Sequence, residues 1–177
     1  MIFAGLLMDF IVISLFIIFA RHGGNKDVFP QQWRLPIELV LFYGLRFICQ
    51  ALFAMQLPAG FYWDYPGFPS VTVPYGATND FFYSGHVGAC ILCFVEYNSM
   101  LENGWRPVYS RFMKWISIFS LFVQAFTMLA TRGHYTIDLI SGIIFAHYIH
   151  INVRAYLSKY DQIGKKQSIG SDFQRVS

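Results

Sequence analysis

Two histidines open apolar stretches of this sequence, and each stands among residues that suit phosphate chemistry. The later one lies in Thr131-Arg132-Gly133-His134-Tyr135-Thr136-Ile137-Asp138. If a helix begins near His134, Asp138 follows on the same face, about 6 Å along the axis. A carboxylate one turn from an imidazole fixes its tautomer and holds it as a base or nucleophile. The earlier histidine lies in Tyr83-Ser84-Gly85-His86.

These types suit phosphoryl transfer on a lipid. His134 attacks phosphorus, while Asp138 accepts its other ring N–H and stabilises the imidazolium. His86 protonates the departing alkoxide and then deprotonates the incoming alcohol or water. Arg132 can hold two phosphate oxygens at once. Ser84 and the bare backbone of Gly85 let a phosphate approach N–H groups at a helix start, where the dipole is also favourable. Tyr83 and Arg46 are further candidate substrate contacts, with a structural pairing of Arg46 to Glu38 or Glu96 as the alternative. Arg132 and the helix termini can carry the electrostatic load, so neither metal nor cofactor is required. His147 and His150 are expected at a membrane interface near Arg154, with no third metal ligand beside them.

The elements that position these residues follow from composition. The chain of 177 residues is 55% hydrophobic, 19% aromatic and only 13% charged, about half the charge usual in a soluble domain. Long apolar runs predict an all-α membrane helix bundle with about five spans. These cover roughly 2–20, 35–57, 81–100, 112–129 and 134–153, with Asn79 or Asp80 as the expected cap of the third. Residues 1–153 would form the catalytic bundle, and 154–177 a polar, disordered cytoplasmic tail. The first run, followed at once by Arg21, is expected to be a retained span rather than a cleaved leader. No basic cluster with interleaved aromatics points to nucleic acid, and Cys49, Cys90 and Cys93 are expected as buried thiols.

Charge orients the spans. Arg21, Lys26, Arg34, Arg106, Arg111, Lys114, Arg154 and the tail lysines fall on one side, Arg132 on the other. The first set is expected to be cytoplasmic. Spans three and five then both start from the opposite face, so His86, Arg132, His134 and Asp138 meet at one membrane surface. Between spans two and three, Pro58, Pro66, Pro69 and Pro74 predict an ordered loop crowded with Phe61, Tyr62, Trp63, Tyr65 and Phe68. It has two readings, an interfacial aromatic belt or a cage for a quaternary ammonium around Trp63 or Tyr65.

Ser84-Gly85-His86 with Arg132, His134 and Asp138 resembles the motifs of the type 2 phosphatidic acid phosphatase superfamily. In that superfamily's phosphatases the arginine stands farther ahead of the histidine, and a lysine-to-arginine-proline motif precedes both; neither feature is present here. The compact His134-to-Asp138 motif with Tyr83-Ser84-Gly85-His86 is similar to the sphingomyelin synthase branch. Thr131-Arg132-Gly133-His134-Tyr135-Thr136-Ile137-Asp138-Leu139 is closer still to the plant phosphatidylcholine:diacylglycerol cholinephosphotransferases. So are Arg46, Gln56-Leu57-Pro58 and Asp64-Tyr65-Pro66-Gly67, and the likeness covers roughly 40–153.

The resemblance implies a transferase moving phosphocholine from phosphatidylcholine to a lipid alcohol, diacylglycerol or ceramide, through a histidine-linked intermediate. It implies His134 as nucleophile, Asp138 as its partner and His86 as acid/base. It also implies six spans against the five counted, so the family's first helix is expected to be missing. The enzyme would lie in the endoplasmic reticulum or Golgi membrane with its site on the lumenal face. A lipid phosphate phosphatase and a non-catalytic membrane subunit remain the alternatives, and the acceptor, headgroup preference and oligomeric state are open at this stage.

Overall fold

In the computed structural model the described residues are 2–52, 60, 70–71 and 83–176, with the backbone alone for 161 and 163–176. They form α1 (Ile2–His22), α2 (Arg34–Leu52), α3 (Gly85–Glu102), α4 (Pro107–Ala130) and α5 (Thr136–Val176). Helix α4 shows what solvent the chain is written for. It buries Ser110, Met113, Ser117, Ser120, Gln124 and Met128, at helical spacing. Its large aromatics Phe112, Trp115, Phe119, Phe122 and Phe126 face outward. A helix with small polar residues inside and aromatics outside suits lipid, where close packing and hydrogen bonds hold helices together. Gln124 accordingly donates to the Ala4 carbonyl of α1 at 2.8 Å, and Tyr97 to that of Ile11 at 3.0 Å.

By length and hydropathy α1, α2, α4 and residues 136–160 of α5 can each cross a membrane. The fifth helix, α3, packs against all four others. It buries His86, Cys90, Cys93, Glu96 and Tyr97. It is not itself long and apolar enough to count as a span, so four of the five expected spans meet that criterion; a helix sheathed by its neighbours does not need an apolar exterior. The cysteines are free and buried.

Three boundaries differ from expectation. The cap of α3 is Ser84, whose Oγ accepts from the Val87 N–H at 3.4 Å; Asn79 and Asp80 lie outside the described residues, as do 53–59 at the end of the second predicted span. Helix α5 starts at Thr136 rather than His134. It also runs on to Val176 as helix where a disordered tail was expected; at about 1.5 Å per residue its 41 residues extend far beyond a bilayer.

Candidate active site

The start of α3 and the first turns of α5 are joined directly. The Ser84 N–H donates to the Asp138 carbonyl at 3.0 Å. A Cβ on Gly142 would stand 2.8 Å from the Ser84 carbonyl oxygen, so this approach needs a residue without one. Tyr83 braces the junction: its hydroxyl donates to the Phe42 carbonyl at 2.8 Å. Its ring stacks on Phe145 at 5.0 Å and meets Phe42 edge-on at 4.9 Å.

This junction brings the histidines together. Their rings lie 6.5 Å apart between centroids, at 69°, and both residues are 5% exposed. Because α5 begins two residues after His134, the predicted pairing with Asp138 is reached by another route than one helical turn. Asp138 sits in the first turn, and its Oδ2 accepts from the Tyr135 backbone N–H at 2.9 Å. This is the reach-back half of a capping box. The same oxygen lies 3.3 Å from Nδ1 of His134. One fully buried carboxylate thus both starts the helix and orients the imidazole. With the proton on Nδ1, the lone pair is on Nε2.

Two arginines flank the pair. Arg132 terminates α4 in an unusual way. The Arg132 N–H bonds the Leu129 carbonyl at 3.1 Å and the Gly133 N–H bonds that of Met128 at 2.8 Å. This is a Schellman motif with Thr131 as cap. The position that takes the left-handed conformation, ordinarily glycine, is Arg132 itself at φ 53°. Its guanidinium reaches Gly60, where a Cβ would stand 2.8 Å from Nη1. Arg46 comes from α2 and crosses Gly85, where a Cβ would meet Nε at 2.9 Å and Cζ at 3.0 Å. The alternative pairing of Arg46 with Glu38 or Glu96 is not what the structure shows, because other groups hold those carboxylates.

Those groups are Arg34 and His150. Arg34 donates Nε and Nη2 to the two oxygens of Glu96, both at 2.8 Å. Nδ1 of His150 lies 2.9 Å from Oε1 of Glu38. His150, expected at an interface without further ligands, is thus 8% exposed and packed beside two carboxylates. One ligand atom each from Glu38, Glu96 and His150 falls within 4.8 Å of the others, a spacing that could hold a metal. Arg34 spans both oxygens of Glu96, however, and two cations on one carboxylate repel, so the arrangement reads as an Arg34–Glu96 ion pair beside a His150–Glu38 hydrogen bond.

Sequence reasoning passed over Asp9. This carboxylate, buried in α1, accepts from Ser70 Oγ at 3.0 Å and from the Val71 N–H at 3.1 Å, tying the connection between α2 and α3 to the first helix. The available signal was its charge inside an apolar run. The residues offered for an ammonium cage, Trp63 and Tyr65, lie outside the described residues.

No curated protein and no solved structure matches the chain. A family model does: that described as PAP2 superfamily C-terminal matches residues 78–155, which hold Ser84, Gly85, His86, Arg132, His134 and Asp138. The stretch that carries both histidines is therefore similar to the C-terminal domain of the PAP2 superfamily.

Proposed function

We propose that this protein is a membrane lipid phosphotransferase that moves phosphocholine from phosphatidylcholine to a lipid alcohol, diacylglycerol or ceramide. The observation that carries the reading is the facing pair His86 and His134, with Asp138 on Nδ1 of the latter. Nε2 of His134 attacks phosphorus, and the bond from phosphorus to the glycerol oxygen breaks. His86 delivers a proton to that oxygen, releasing diacylglycerol and leaving phosphocholine on His134. The acceptor hydroxyl then attacks phosphorus as His86 takes its proton, and the bond to Nε2 breaks.

Arg132 and Arg46 stabilise the charge that builds on the phosphoryl oxygens, as preorganised donors at low dielectric. Helix termini add Ser84 and Gly85. The concentration of Arg21, Arg34, Arg106, Arg111 and Arg154 at the opposite helix ends supports a mouth on the non-cytoplasmic side. In an endomembrane this is the lumenal leaflet of the endoplasmic reticulum or Golgi.

The test uses purified protein in vesicles of headgroup-labelled phosphatidylcholine, with diacylglycerol and ceramide bearing distinguishable fluorophores. Label is expected on one fluorescent lipid, falling at least about 10³-fold in His134→Ala. Free phosphocholine as the sole product would instead make water the acceptor and the protein a hydrolase. No release of diacylglycerol from folded protein would overturn both.

A further inference from the structure

A second lipid-shaped feature lies at the other end of the bundle. Between α1 and α4 runs a groove of about 480 Å³, remote in the chain from both histidines. Phe10, Ile13 and Ile17 form a stripe along its α1 side, and all three are exposed. Trp105 and Tyr109 form the other wall. Its polar floor is closed upon itself, since Ser14 and Tyr109 hydrogen-bond one another. Along its length the groove therefore offers hydrocarbon.

Its head is different. Arg21 and His22 from the end of α1 and Arg106 from the start of α4 line it there. Arg106 holds its guanidinium carbon 5.3 Å from the centroid of Trp105. The His22 ring meets the same indole edge-on at 5.8 Å. Among the described residues, only Arg106 and Arg132 are non-glycine residues with positive φ, Arg106 at 38°. The guanidinium thus rests on the indole that forms one wall of the groove.

We propose that this groove binds an anionic glycerophospholipid of the leaflet opposite the catalytic mouth. An acyl chain lies along Phe10, Ile13 and Ile17, and the phosphate is held by Arg21 and Arg106. A bilayer leaves no water to fill an apolar groove at this depth, so lipid chains occupy it. The charge at its head then selects among headgroups. This site stands apart from the transferase reading and does not depend on it.

Native mass spectrometry of the delipidated protein in a nonionic detergent provides the test, with phosphatidylserine and phosphatidylethanolamine of matched chains as probes. Two arginines beside the headgroup act on the extra carboxylate that gives phosphatidylserine its net negative charge, and predict a preference for it of about tenfold or more. Arg21→Gln/Arg106→Gln should bring the two lipids level without loss of neutral-lipid retention. Ile13→Trp, which fills the groove and leaves its charges, should lower retention of both. Arg132→Gln should preserve the preference, separating the groove from the mouth. Equal retention in the wild type, a preference that survives Arg21→Gln/Arg106→Gln, or one lost in Arg132→Gln would each overturn the assignment. So would disulfide-linked dimers of Ile13→Cys formed in bilayers, which would show a second copy of the chain occupying the groove.

Discussion

The two polar centres of this bundle are built from the same residue types, histidine, carboxylate and arginine, yet they are wired differently. At the basic end Arg34 grips both oxygens of Glu96, and His150 meets Glu38. Arg34 and Glu96 form a closed ion pair, and the Glu38 carboxylate beside them is met by an imidazole nitrogen. At the mouth Oδ2 of Asp138 is shared between Nδ1 of His134 and a helix N–H, while the Arg46 guanidinium crosses Gly85 and that of Arg132 reaches Gly60. One centre closes its charges on each other. The other sets one carboxylate on an imidazole and carries two guanidiniums against nearby glycines, the wiring that the proposed binding of a phosphate calls for. Charged groups inside a membrane protein therefore divide by wiring rather than by type.

The hardest test of this division is to break the closed centre. Glu96→Gln leaves the Arg34 guanidinium buried without a carboxylate across its fork, at a cost of about 3–5 kcal/mol. Denaturation in detergent should show a large loss of stability. Transfer per folded molecule should stay near the wild-type rate, because nothing at the mouth has changed. Arg34→Leu with Glu96→Leu removes both charges and should recover most of the loss. A selective fall in turnover with stability intact would contradict the comparison, since it would make this centre part of the chemistry.

How much of this could be read from the sequence depends on distance along the chain. The apolar runs gave the helices, and the close spacing of His134 and Asp138 gave their pairing, even though α5 begins two residues later than the spacing argument assumed. Local geometry survived because a capping aspartate and a preceding histidine meet whether or not both are helical. The basic-end network joins residues 62 and 112 positions apart, and no local pattern announces Arg34 with Glu96 or His150 with Glu38. Nor does composition show that α3 is the central helix; it only leaves α3 looking less apolar than its neighbours. The link from Asp9 to Ser70 and Val71 was hidden for the same reason.

A smaller effect should separate positioning from stability at the mouth. Gly142→Ala places a methyl carbon 2.8 Å from the Ser84 carbonyl, on the seam that sets His86 against His134. Relieving that clash moves the start of α3 from α5 and costs about 1–3 kcal/mol. Catalysis depends on placement to well under an ångström, so transfer should fall about 10²-fold. Parallel measurement of turnover and unfolding is the check. Losses of matched size would mean that Gly142 merely packs.

The smallest change in stability is predicted with the opposite sign, at Arg132. In a Schellman motif the left-handed residue is usually glycine, because a side chain there costs about 1 kcal/mol. This chain places arginine at that residue, φ 53°, and glycine one position later. Arg132→Gly should therefore raise stability by about 1 kcal/mol while lowering transfer about 10²- to 10³-fold through loss of the cation proposed to hold the phosphate. Arg132→Ala keeps the backbone cost and loses the same cation, so it should match the glycine variant in activity without the gain in stability. If both variants were less stable than the wild type, the guanidinium would be contributing to the fold through its contact with Gly60. The mouth would then resemble the closed centre more than its wiring indicates. A stable but inactive Arg132→Gly would instead show that the bundle tolerates a strained backbone at the residue proposed to hold the anion.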